Sequence, residues 1–335
     1  MDPVEALGEI AFWLERGRES TYRVQAFRKA AAAIAEIPDL ESQRDRLTSI
    51  AGVGDRTAEV IGQSLDGTVP DYLAKLRERG EGPLAPDGEA VRTKLLGDLH
   101  THSDWSDGGS PIAEMATTAK RLGHRYMALT DHSPRLAVAN GLSAERLAEQ
   151  LDVVAEVDDG LDDFRLLSGI EVDIKDDGSL DQTPEMLARL DVVVASVHSK
   201  LRMDRIGMTR RMLRAVADPA TNILGHCTGR LVEGSRGKRP ESQFDAKRVF
   251  AACAENDVAV EINARPERRD PPDKLIALAL DAGCLFSIDS DAHAPGQLDF
   301  LDHGAARAQK LGLPLDRIVT TWPVDRLLSW SRAKR

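Results

Sequence analysis

The sequence contains few cysteines and no long apolar run. Its three cysteines, Cys227, Cys253 and Cys284, are odd in number and far apart, which argues against a disulfide framework or a cysteine-based zinc site. No stretch of about 18 consecutive apolar residues is present, so no membrane-spanning helix is expected. The chain opens on Asp2 and Pro3, the start of a helix rather than of a signal peptide. We therefore predict a cytoplasmic protein with reduced thiols and no membrane partner.

Positive charge is in deficit. The 44 lysines and arginines are outnumbered by 55 aspartates and glutamates, which gives a formal net charge of -11. This balance excludes a protein that coats nucleic acid with its whole surface, although a local basic patch can still hold a phosphate backbone. The 335 residues, 42% of them hydrophobic, are enough for one large core and a small second one. Two domains are therefore expected.

The two domains differ in their hydrophobic pattern. Near the N-terminus apolar residues recur at helical spacing, beginning with Val4, Leu7, Ala11 and Leu14. Residues 80–94 are rich in glycine and proline, which cannot continue a helix. We predict an all-α domain at 1–79, a linker at 80–94 and a second domain at 95–335.

In the second domain short β-rich runs alternate with stretches of helical periodicity, the pattern of repeated βα units with a parallel sheet. Seven such runs predict a TIM-like βα barrel of the α/β class, with strands at 95–99, 126–130, 165–170, 192–197, 223–225, 258–262 and 284–288. The carboxyl ends of parallel barrel strands meet on one face, where active sites form.

Nine potential metal ligands lie at or after these strand ends: His100, His102, Asp107, His132, Glu171, His198, His226, Asp291 and His293. A lone H-x-H pair such as His100 and His102 is a weak signal, but the repetition of imidazole or carboxylate after six of the strands strengthens it. Such donors hold zinc, manganese or iron. One face of the barrel is therefore predicted to gather several divalent ions, a set suited to phosphate ester hydrolysis.

The motifs that carry these residues resemble those of the polymerase and histidinol phosphatase (PHP) family. They are GDLHTHSDWSDG at 97–108, TDHS at 130–133, GIE at 169–171, SVHS at 196–199, GH at 225–226 and SDAH at 290–293. The resemblance covers about 94–322 and implies a distorted seven-stranded barrel with three metal ions. It implies one ion on His100, His102, Glu171 and Asp291, a second on Glu171, His198 and His226, and a third on Asp107, His132 and His293, with Glu171 as a bridge.

The mechanism expected from such a site is in-line attack by a metal-bound hydroxide, with Glu171 at the centre and His132 or Asp131 assisting proton transfer. Asn263 is as well suited to a structural hydrogen bond as to substrate contact. His124 and His303 are expected at the surface. Four acidic residues are expected to orient ligating imidazoles rather than bind metal: Asp98, Asp104, Asp131 and Asp289.

A helix-hairpin-helix pattern is present before the linker. Gly52 and Gly54 let the backbone turn tightly between two helices, and free N–H groups at the start of the second helix can hold a DNA phosphate without reading any base. Taken alone, these residues serve DNA contact or plain helix packing equally well. The pattern is completed by apolar residues at helical spacing: Leu47, Ile50, Val53, Ala58 and Ile61.

Together with YRVQAFRKAAAAI at 22–34, this hairpin is similar to the N-terminal domain of family X DNA polymerases, over about 6–76. The resemblance implies a DNA-backbone partner. There is no room for a polymerase palm, and the family's lyase lysine falls on Val60, so neither polymerisation nor lyase activity is expected. Candidate phosphate contacts, for which solvated surface is the alternative, are Arg23, Arg28, Lys29 and Arg56 here and Arg230, Arg236, Lys238 and Arg239 after the fifth strand.

The leading hypothesis is a metal-dependent phosphoesterase that acts on DNA ends in repair, as a 3′-to-5′ exonuclease or 3′-phosphatase and possibly as an abasic-site endonuclease. The first alternative is a small-metabolite phosphatase of the histidinol phosphatase type, for which the helical domain would be dispensable. The second is a non-catalytic DNA-binding protein, which the complete set of nine donors disfavours. Sequence alone leaves the metal and the oligomeric state open.

Overall fold

The computed structural model describes residues 1–234 and 237–334. These residues divide into two units, Met1–Pro83 with Pro295–Gln297, and Leu84–Ala294 with Leu298–Arg335. Arg236, one of the predicted phosphate contacts, lies outside the described residues. No helix in the described part of the chain has both the length and the apolar composition needed to cross a membrane.

The first unit is all-helical, as predicted. Asp2 begins the first helix by accepting a hydrogen bond from the Glu5 N–H at 2.9 Å, and Pro3 occupies its first turn, where a missing N–H has no consequence. Leu7, Ile10 and Leu14 recur on one face of this helix and are fully buried. The helices are α1 Pro3–Arg16, α2 Thr21–Ala35, α3 Asp55–Leu65 and α4 Asp71–Gly80.

The hairpin before α3 differs from the prediction in one respect. Its first arm is a 3₁₀ helix, Glu41–Ser49, rather than an α-helix, because this segment is strongly polar and buries only Leu47. Gly52 has φ +96°, a conformation that a side chain would strain, and so makes the turn. Val60, the position of the family's lyase lysine, is buried in the core of this unit.

The second unit is a seven-stranded, nearly closed barrel, which confirms the predicted fold class. Its strands are all parallel and neighbours in sequence are neighbours in the sheet. A parallel bridge between Thr101 and Ala292, with the His102 N–H donating to the Ala292 carbonyl at 2.8 Å, joins the first strand to the chain after the last. The strands are β1 Gly97–Thr101, β2 Tyr126–Leu129, β3 Arg165–Asp173, β4 Val192–Ser196, β5 Ile223–Leu224, β6 Ala259–Asn263 and β7 Phe286–Asp289.

Helices follow most of the strands and pack their apolar faces on the barrel. A short helix also forms at Glu89–Arg92, inside the segment that the glycine and proline content marks as a linker. The remaining α-helices of the described chain are α5 Glu89–Arg92, α6 Ile112–Arg121, α7 Ala144–Asp159, α8 Pro184–Leu187, α9 Arg205–Val216, α10 Ala246–Glu255, α11 Asp273–Asp281, α12 Leu301–Lys310 and α13 Val324–Arg332.

Strand β3 runs three residues beyond its predicted end, because Asp173 still pairs with Ser196 of β4. Glu171 therefore lies within the strand rather than after it, and its backbone pairs with a neighbouring segment on each side of the strand. The His132 backbone forms a parallel bridge with Glu171 from the β2 side. A carboxylate placed in this way has little freedom to move.

The prediction that His124 is exposed was wrong. The chain after α6 turns through Gly123, whose φ is +89°, and the His124 N–H donates to the Ala119 carbonyl at 3.1 Å. This turn directs the imidazole inward, where only 3% of the residue is exposed. Burial, with a smaller contribution from Arg92, lowers the pKa of His124 to about 3. His303, on α12, is half-buried.

Candidate metal centre

Glu171 lies at the centre of the predicted ligand set. Its side chain is buried within β3, and its two carboxylate oxygens face different histidines. Oε2 is 3.3 Å from His100 Nε2, whereas Oε1 is 3.1 Å from His198 Nε2 and 2.8 Å from His226 Nε2. One carboxylate can therefore bridge two ions, as the resemblance implies.

The first group combines β1 with the chain after β7. His102 Nε2 lies 3.4 Å from Asp291 Oδ1 and 3.7 Å from Glu171 Oε2. Asp291 adopts φ +53°, a conformation that aspartate tolerates better than most residues. Its other oxygen, Oδ2, accepts hydrogen bonds from Asn263 Nδ2 and Arg268 Nε, both at 3.0 Å. These two donors leave Oδ1 turned toward His102.

The third group is the most exposed. Asp107 Oδ1 lies 3.4 Å from both His132 Nε2 and His293 Nε2, and its side chain is 38% exposed. The loop that carries Asp107 follows β1 directly, so the strand places His100 and His102 among the buried donors and the loop places Asp107 at the exposed group. An ion held here would meet solvent or substrate first.

The buried polar atoms of this set fit a metal better than they fit one another. Among the described residues, no hydrogen-bond partner is found for His100 Nε2, for either ring nitrogen of His102, His198 and His226, for His132 Nδ1, or for either oxygen of Glu171. Leaving so many buried donors and acceptors unpaired is costly in a folded protein. Ligand atoms close enough to share an ion occur in four overlapping groups: His102, Asp107, His132 and His293; His100, His102 and Asp291; His100, Glu171 and His226; and His132, Glu171 and His198. Mixed imidazole and carboxylate donors suit zinc, manganese or iron.

Burial and neighbouring charges shift the pKa values of several groups in and around the site. Burial lowers the pKa of His102 well below its usual range, and the neighbouring His293 and His132 add to this effect. A neutral imidazole is the form that binds metal. Behind the ligands, burial raises the pKa of Asp98 to about 7, and burial together with Asp98 raises the pKa of Asp289.

The residues that orient the ligands are not the ones expected. Glu261 Oε1 lies 2.5 Å from His100 Nδ1, Asp173 Oδ1 lies 3.6 Å from His198 Nδ1, and Arg265 Nη1 lies 2.8 Å from His293 Nδ1. The EIN stretch contained the signal for the first of these, because period-two alternation places Glu261 and Asn263 on the same face of β6. Asn263 is fully buried and contacts Asp291 and Glu261, so its role is structural.

Of the four acidic residues predicted to orient imidazoles, none hydrogen-bonds a histidine ring within the described residues. Asp98 binds the Ser290 hydroxyl and the His100 N–H, Asp289 binds the Leu99 N–H, and Asp104 is exposed. Asp98 and Asp289 hold the backbone of β1 and of the segment after β7. They support the ligands by fixing the main chain.

Asp131, which was predicted to assist proton transfer, is held in a network of hydrogen bonds. Its carboxylate is fully buried and accepts hydrogen bonds from the Ser103 N–H and hydroxyl at 2.8 and 2.6 Å, from Gln150 Nε2 at 2.6 Å and from the Ser106 hydroxyl. Burial raises its pKa, which these bonds oppose. With its oxygens occupied in this way, Asp131 anchors the loop after β1 rather than facing substrate.

His132 also differs from a free proton carrier. Its Nδ1 lies 2.8 Å from Glu171 Oε2 and its Nε2 lies 3.4 Å from Asp107 Oδ1, so carboxylates face both ring nitrogens. This arrangement fits a ligand and leaves neither nitrogen turned to a substrate.

A cleft of about 380 Å³ opens over the metal-binding groups. Its floor is formed by Asp107, His132, His198, Asp291 and His293, and its wall contains Arg239 and Arg268. The rim is apolar: Leu136, Val138 and Ala139 lie in the loop after β2, and Val138 is 95% exposed. The cleft thus combines cation-binding donors, two guanidinium groups and an apolar edge.

The predicted phosphate contacts in the loop after β5 fall into different environments. Arg239 lines the cleft, and its Nε donates to the Gly229 carbonyl at 2.5 Å. Arg230 donates to the carbonyls of Arg268 and Arg269, so its side chain joins the loop after β5 to the loop after β6. Lys238 is exposed.

In the helical unit the hairpin glycines and two of the basic residues are open to solvent. Gly54 caps α3, and Lys29 and Arg56 are exposed. Arg56 lies over the Tyr72 ring, 5.2 Å from its centroid. Gly52 is also exposed.

The two remaining candidates in this unit are engaged in contacts. Arg23 is partly exposed and pairs with Glu19 at 2.5 Å. Arg28 is only 13% exposed and binds both carboxylate oxygens of Glu15, at 2.8 and 3.0 Å. Arg28 is therefore the weakest of the four for phosphate contact.

Comparison with known proteins agrees with this geometry. Residues 98–265, half of the chain, match the family described as the PHP domain, and residues 1–68 match a helix-hairpin-helix domain. The chain belongs to the PHP domain family and is a metal-dependent phosphoesterase. The hydrolase prediction is thereby confirmed, and the non-catalytic alternative is not supported.

Relatives within this family have different names. DNA polymerase/3′-5′ exonuclease PolX of Bacillus subtilis is 37% identical over 217 residues, which is 65% of this chain but only 37% of that protein. A probable phosphatase of Aeromonas hydrophila is 28% identical over 253 residues, 72% of this chain and 96% of that protein. A histidinol phosphate phosphatase from Lactococcus lactis, solved with zinc, L-histidinol and phosphate, gives a TM-score of 0.48 at 18% identity, over 66% of this chain and 95% of that one.

Proposed function

We propose that this protein hydrolyses phosphate esters at DNA ends, as a 3′-to-5′ exonuclease or 3′-phosphatase, in DNA repair. Two features together support the proposal. Four overlapping donor groups, two of which share Glu171, lie beneath an open cleft, and a helix-hairpin-helix unit occupies the same chain. The name of one relative, a 3′-5′ exonuclease, agrees with these two features, whereas an enzyme for a small metabolite requires no DNA-binding unit.

In this proposal three divalent ions bind as the family resemblance implies. His100, His102, Glu171 and Asp291 hold the first, Glu171, His198 and His226 the second, and Asp107, His132 and His293 the third. Bound ions of this kind activate water near neutral pH and neutralise charge on the phosphate oxygens. The protein's task is to keep these donors in place.

The remaining residues of the cleft position the substrate. Arg239, on the wall, can hold a non-bridging phosphate oxygen, and a guanidinium does this with two parallel hydrogen bonds. The apolar rim, Leu136 and Val138, offers contact to the sugar or base of the terminal nucleotide. Glu261 would accept a hydrogen bond from the Nδ1–H of His100, which leaves the Nε2 lone pair available to a cation.

The helical unit would hold the DNA backbone without reading sequence. Among the described residues, the N–H groups of Asp55 and Arg56 at the start of α3 have no hydrogen-bond acceptor. Such N–H groups, with the helix dipole, bind phosphate. We therefore keep 1–79 as a DNA-contacting domain and 95–335 as the phosphoesterase domain in this proposal, joined by 80–94.

The experiment is hydrolysis of end-labelled DNA by the full chain with Mn²⁺, Zn²⁺ or Fe²⁺, on substrates with a 3′-hydroxyl, a 3′-phosphate or an abasic site. We expect shortening or 3′-dephosphorylation that chelator removes, and none with Glu171→Gln. Absence of product with every metal, from protein that hydrolyses a small phosphate ester, would contradict the proposal. That result would favour a metabolite phosphatase.

The alternative is supported by one observation: the relatives named as probable phosphatases match over nearly their whole length. Gly54 provides a test that leaves the barrel intact. A side chain at Gly54 meets no atom within 4 Å, and its φ of −104° suits any residue. Gly54→Asp keeps a good helix cap but places a negative charge where the phosphate would bind. We expect DNA processing to fall in Gly54→Asp and to persist in the uncharged Gly54→Asn, whereas equal turnover in both variants would favour the metabolite.

A further inference from the structure

A groove between α9 and α10 on the barrel unit has no role in the site described above. It encloses about 310 Å³ and is lined by Arg205, Ile206, Arg210, Leu213, Asp245 and Arg248. Three of these side chains are guanidinium groups, in a chain whose net charge is -11. Such a local concentration of positive charge on an acidic protein suits a negatively charged ligand.

The positive charge of the groove is only partly compensated. Asp245 Oδ2 pairs with Arg205 at 3.0 Å, and Asp245 Oδ1 also accepts the Arg248 N–H at 3.3 Å, which caps α10. Arg210 and Arg248 are exposed, and within the described residues their guanidinium groups have neither an ion-pair nor a hydrogen-bond partner. Two positive charges therefore face the groove unopposed.

An exposed apolar side chain lies between these charges. Ile206 is 82% exposed in the first turn of α9. Arg210 and Leu213 follow it at i+4 and i+7, so the three share one face of the helix. The groove thus alternates charged and apolar contacts.

The groove lies on the same side of the barrel as the metal centre. In a parallel barrel each helix begins where the preceding strand ends, and both α9 and α10 begin at this groove. The loop that lines the metal cleft with Arg239 continues into α10 and is tied to α9. The Asp245 N–H donates to Thr209 Oγ1 at 2.8 Å, and Ser242 Oγ donates to the Leu201 carbonyl at 2.9 Å.

We propose that this groove binds a single strand of nucleic acid, with Arg210 and Arg248 on its phosphates and Ile206 against an unstacked base. A positively charged channel with interspersed apolar contacts is how proteins hold single strands, whose bases are accessible in a way that duplex bases are not. The proposal deepens the DNA-end function and rests on it for the identity of the ligand. It assigns to the barrel itself a contact with the strand that is being processed.

The test uses the full chain, with Arg210→Ala/Arg248→Ala as the charge variant and Ile206→Ser as the apolar variant. The matched control is Lys120→Ala/Arg189→Ala, two exposed cations elsewhere on the barrel unit. Binding of a fluorescent oligothymidylate is measured by anisotropy over a salt series. We expect the charge variant to bind about 10-fold more weakly at 0.1 M salt. The salt slope, which is the slope of log affinity against log salt concentration, should become less steep by about 1.4, since each single-strand phosphate contact contributes about 0.7.

Ile206→Ser should weaken binding without changing the salt slope, because it removes no charge. The ratio of oligonucleotide to p-nitrophenyl phosphate hydrolysis should fall in the charge variant and keep its wild-type value in the control pair. Wild-type affinity and salt slope in the charge variant would overturn the proposal. The same holds if polyglutamate displaces the oligothymidylate as effectively as unlabelled DNA does. Failure of the DNA-end function has a different signature: wild-type protein that cleaves p-nitrophenyl phosphate but no DNA.

Discussion

The imidazole of His100, on β1, contacts the carboxylate of Glu261, on β6. His100 Nδ1 lies 2.5 Å from Glu261 Oε1, and both residues are fully buried. The other oxygen of Glu261 accepts the backbone N–H of His226 and lies 3.3 Å from Asn263 Nδ2. A single side chain of β6, a strand without any predicted ligand, thus orients one ligand and holds the backbone of a second.

Glu261→Gln should therefore weaken metal binding by about 10- to 100-fold, the range found when a residue that orients a ligand is replaced. The amide keeps an acceptor oxygen but loses the negative charge that favours the Nδ1–H tautomer of His100. Metal affinity is measured by competition with a chromogenic chelator. Glu255→Gln, the same change on the exposed part of α10, is the control, and equal affinities in the two variants would remove Glu261 from this role.

Glu171→Gln should reduce the number of bound ions by more than one, because its two oxygens face different groups. Turnover should fall more than about 100-fold, beyond the loss expected for an orienting residue. Metal content per chain is counted by mass spectrometry after gel filtration. A chain that loses a single ion would indicate that Glu171 does not bridge.

Chelation should destabilise the barrel unit. A ligand that binds only the folded state stabilises it by about 2.7 kcal/mol when present at 100 times its dissociation constant. Thermal unfolding with and without EDTA should show a clear fall in the melting temperature of the wild-type chain, since among the described residues both ring nitrogens of His102 and both oxygens of Glu171 have no hydrogen-bond partner. Glu171→Gln should respond less, and an equal response in both proteins would contradict the assignment.

Buried His124 should make the barrel unit acid-sensitive. The pKa of its imidazole is lowered by burial, and secondarily by Arg92, from 6.5 to about 3. At a pH between these two values His124 binds a proton in the unfolded chain but not in the folded chain. The free energy of unfolding therefore decreases as the pH falls from about 6.5 toward 3. Between pH 7 and 5 this loss amounts to about 2 kcal/mol.

His124→Leu removes that proton uptake, so its free energy of unfolding should fall by about 2 kcal/mol less than that of the wild type over the same range. Urea unfolding at pH 7 and pH 5 is the measurement. EDTA is present throughout, so that the metal-facing histidines contribute equally to both proteins. Parallel pH profiles would show that His124 is protonated in the folded state.

Val138 offers a test of the cleft mouth that does not disturb folding, because its side chain is 95% exposed. Val138→Asp places a negative charge at the rim and should lower kcat/KM for DNA ends by about fivefold, the effect of about 1 kcal/mol of repulsion. The loss should shrink as salt is raised, because the charges are exposed. Val138→Asn, equal in size and uncharged, is the control; a loss common to both variants would point to shape instead of charge.

The sequence could predict that the candidate metal ligands lie together, because their pattern is local. Each candidate donor follows an apolar run, and parallel strands bring their carboxyl ends together whatever the details of packing. The same rule predicted the seven-stranded barrel. The all-helical first unit followed likewise from periodicity, although its hairpin begins with a 3₁₀ helix at Glu41–Ser49.

Partners of the donors were harder to predict, because a side chain's neighbours across a barrel are distant in sequence. Glu261 and His100 are far apart in the chain, as are Arg268 and His102, which both contact Asp291. Asp131 stands next to a ligand in the chain, and that proximity suggested chemistry. Its carboxylate instead points into a network of Ser103, Ser106 and Gln150.

Sequence by itself determined the class of chemistry and the type of each domain, and it predicted the nine candidate donors, because apolar periodicity and residue type are properties of the chain alone. Tertiary structure decided which oxygen of Glu171 faces which histidine, that His124 is buried, and that Arg210 and Arg248 meet beside Ile206. These relationships depend on the angles and distances at which separate βα units pack against one another. No local pattern encodes them.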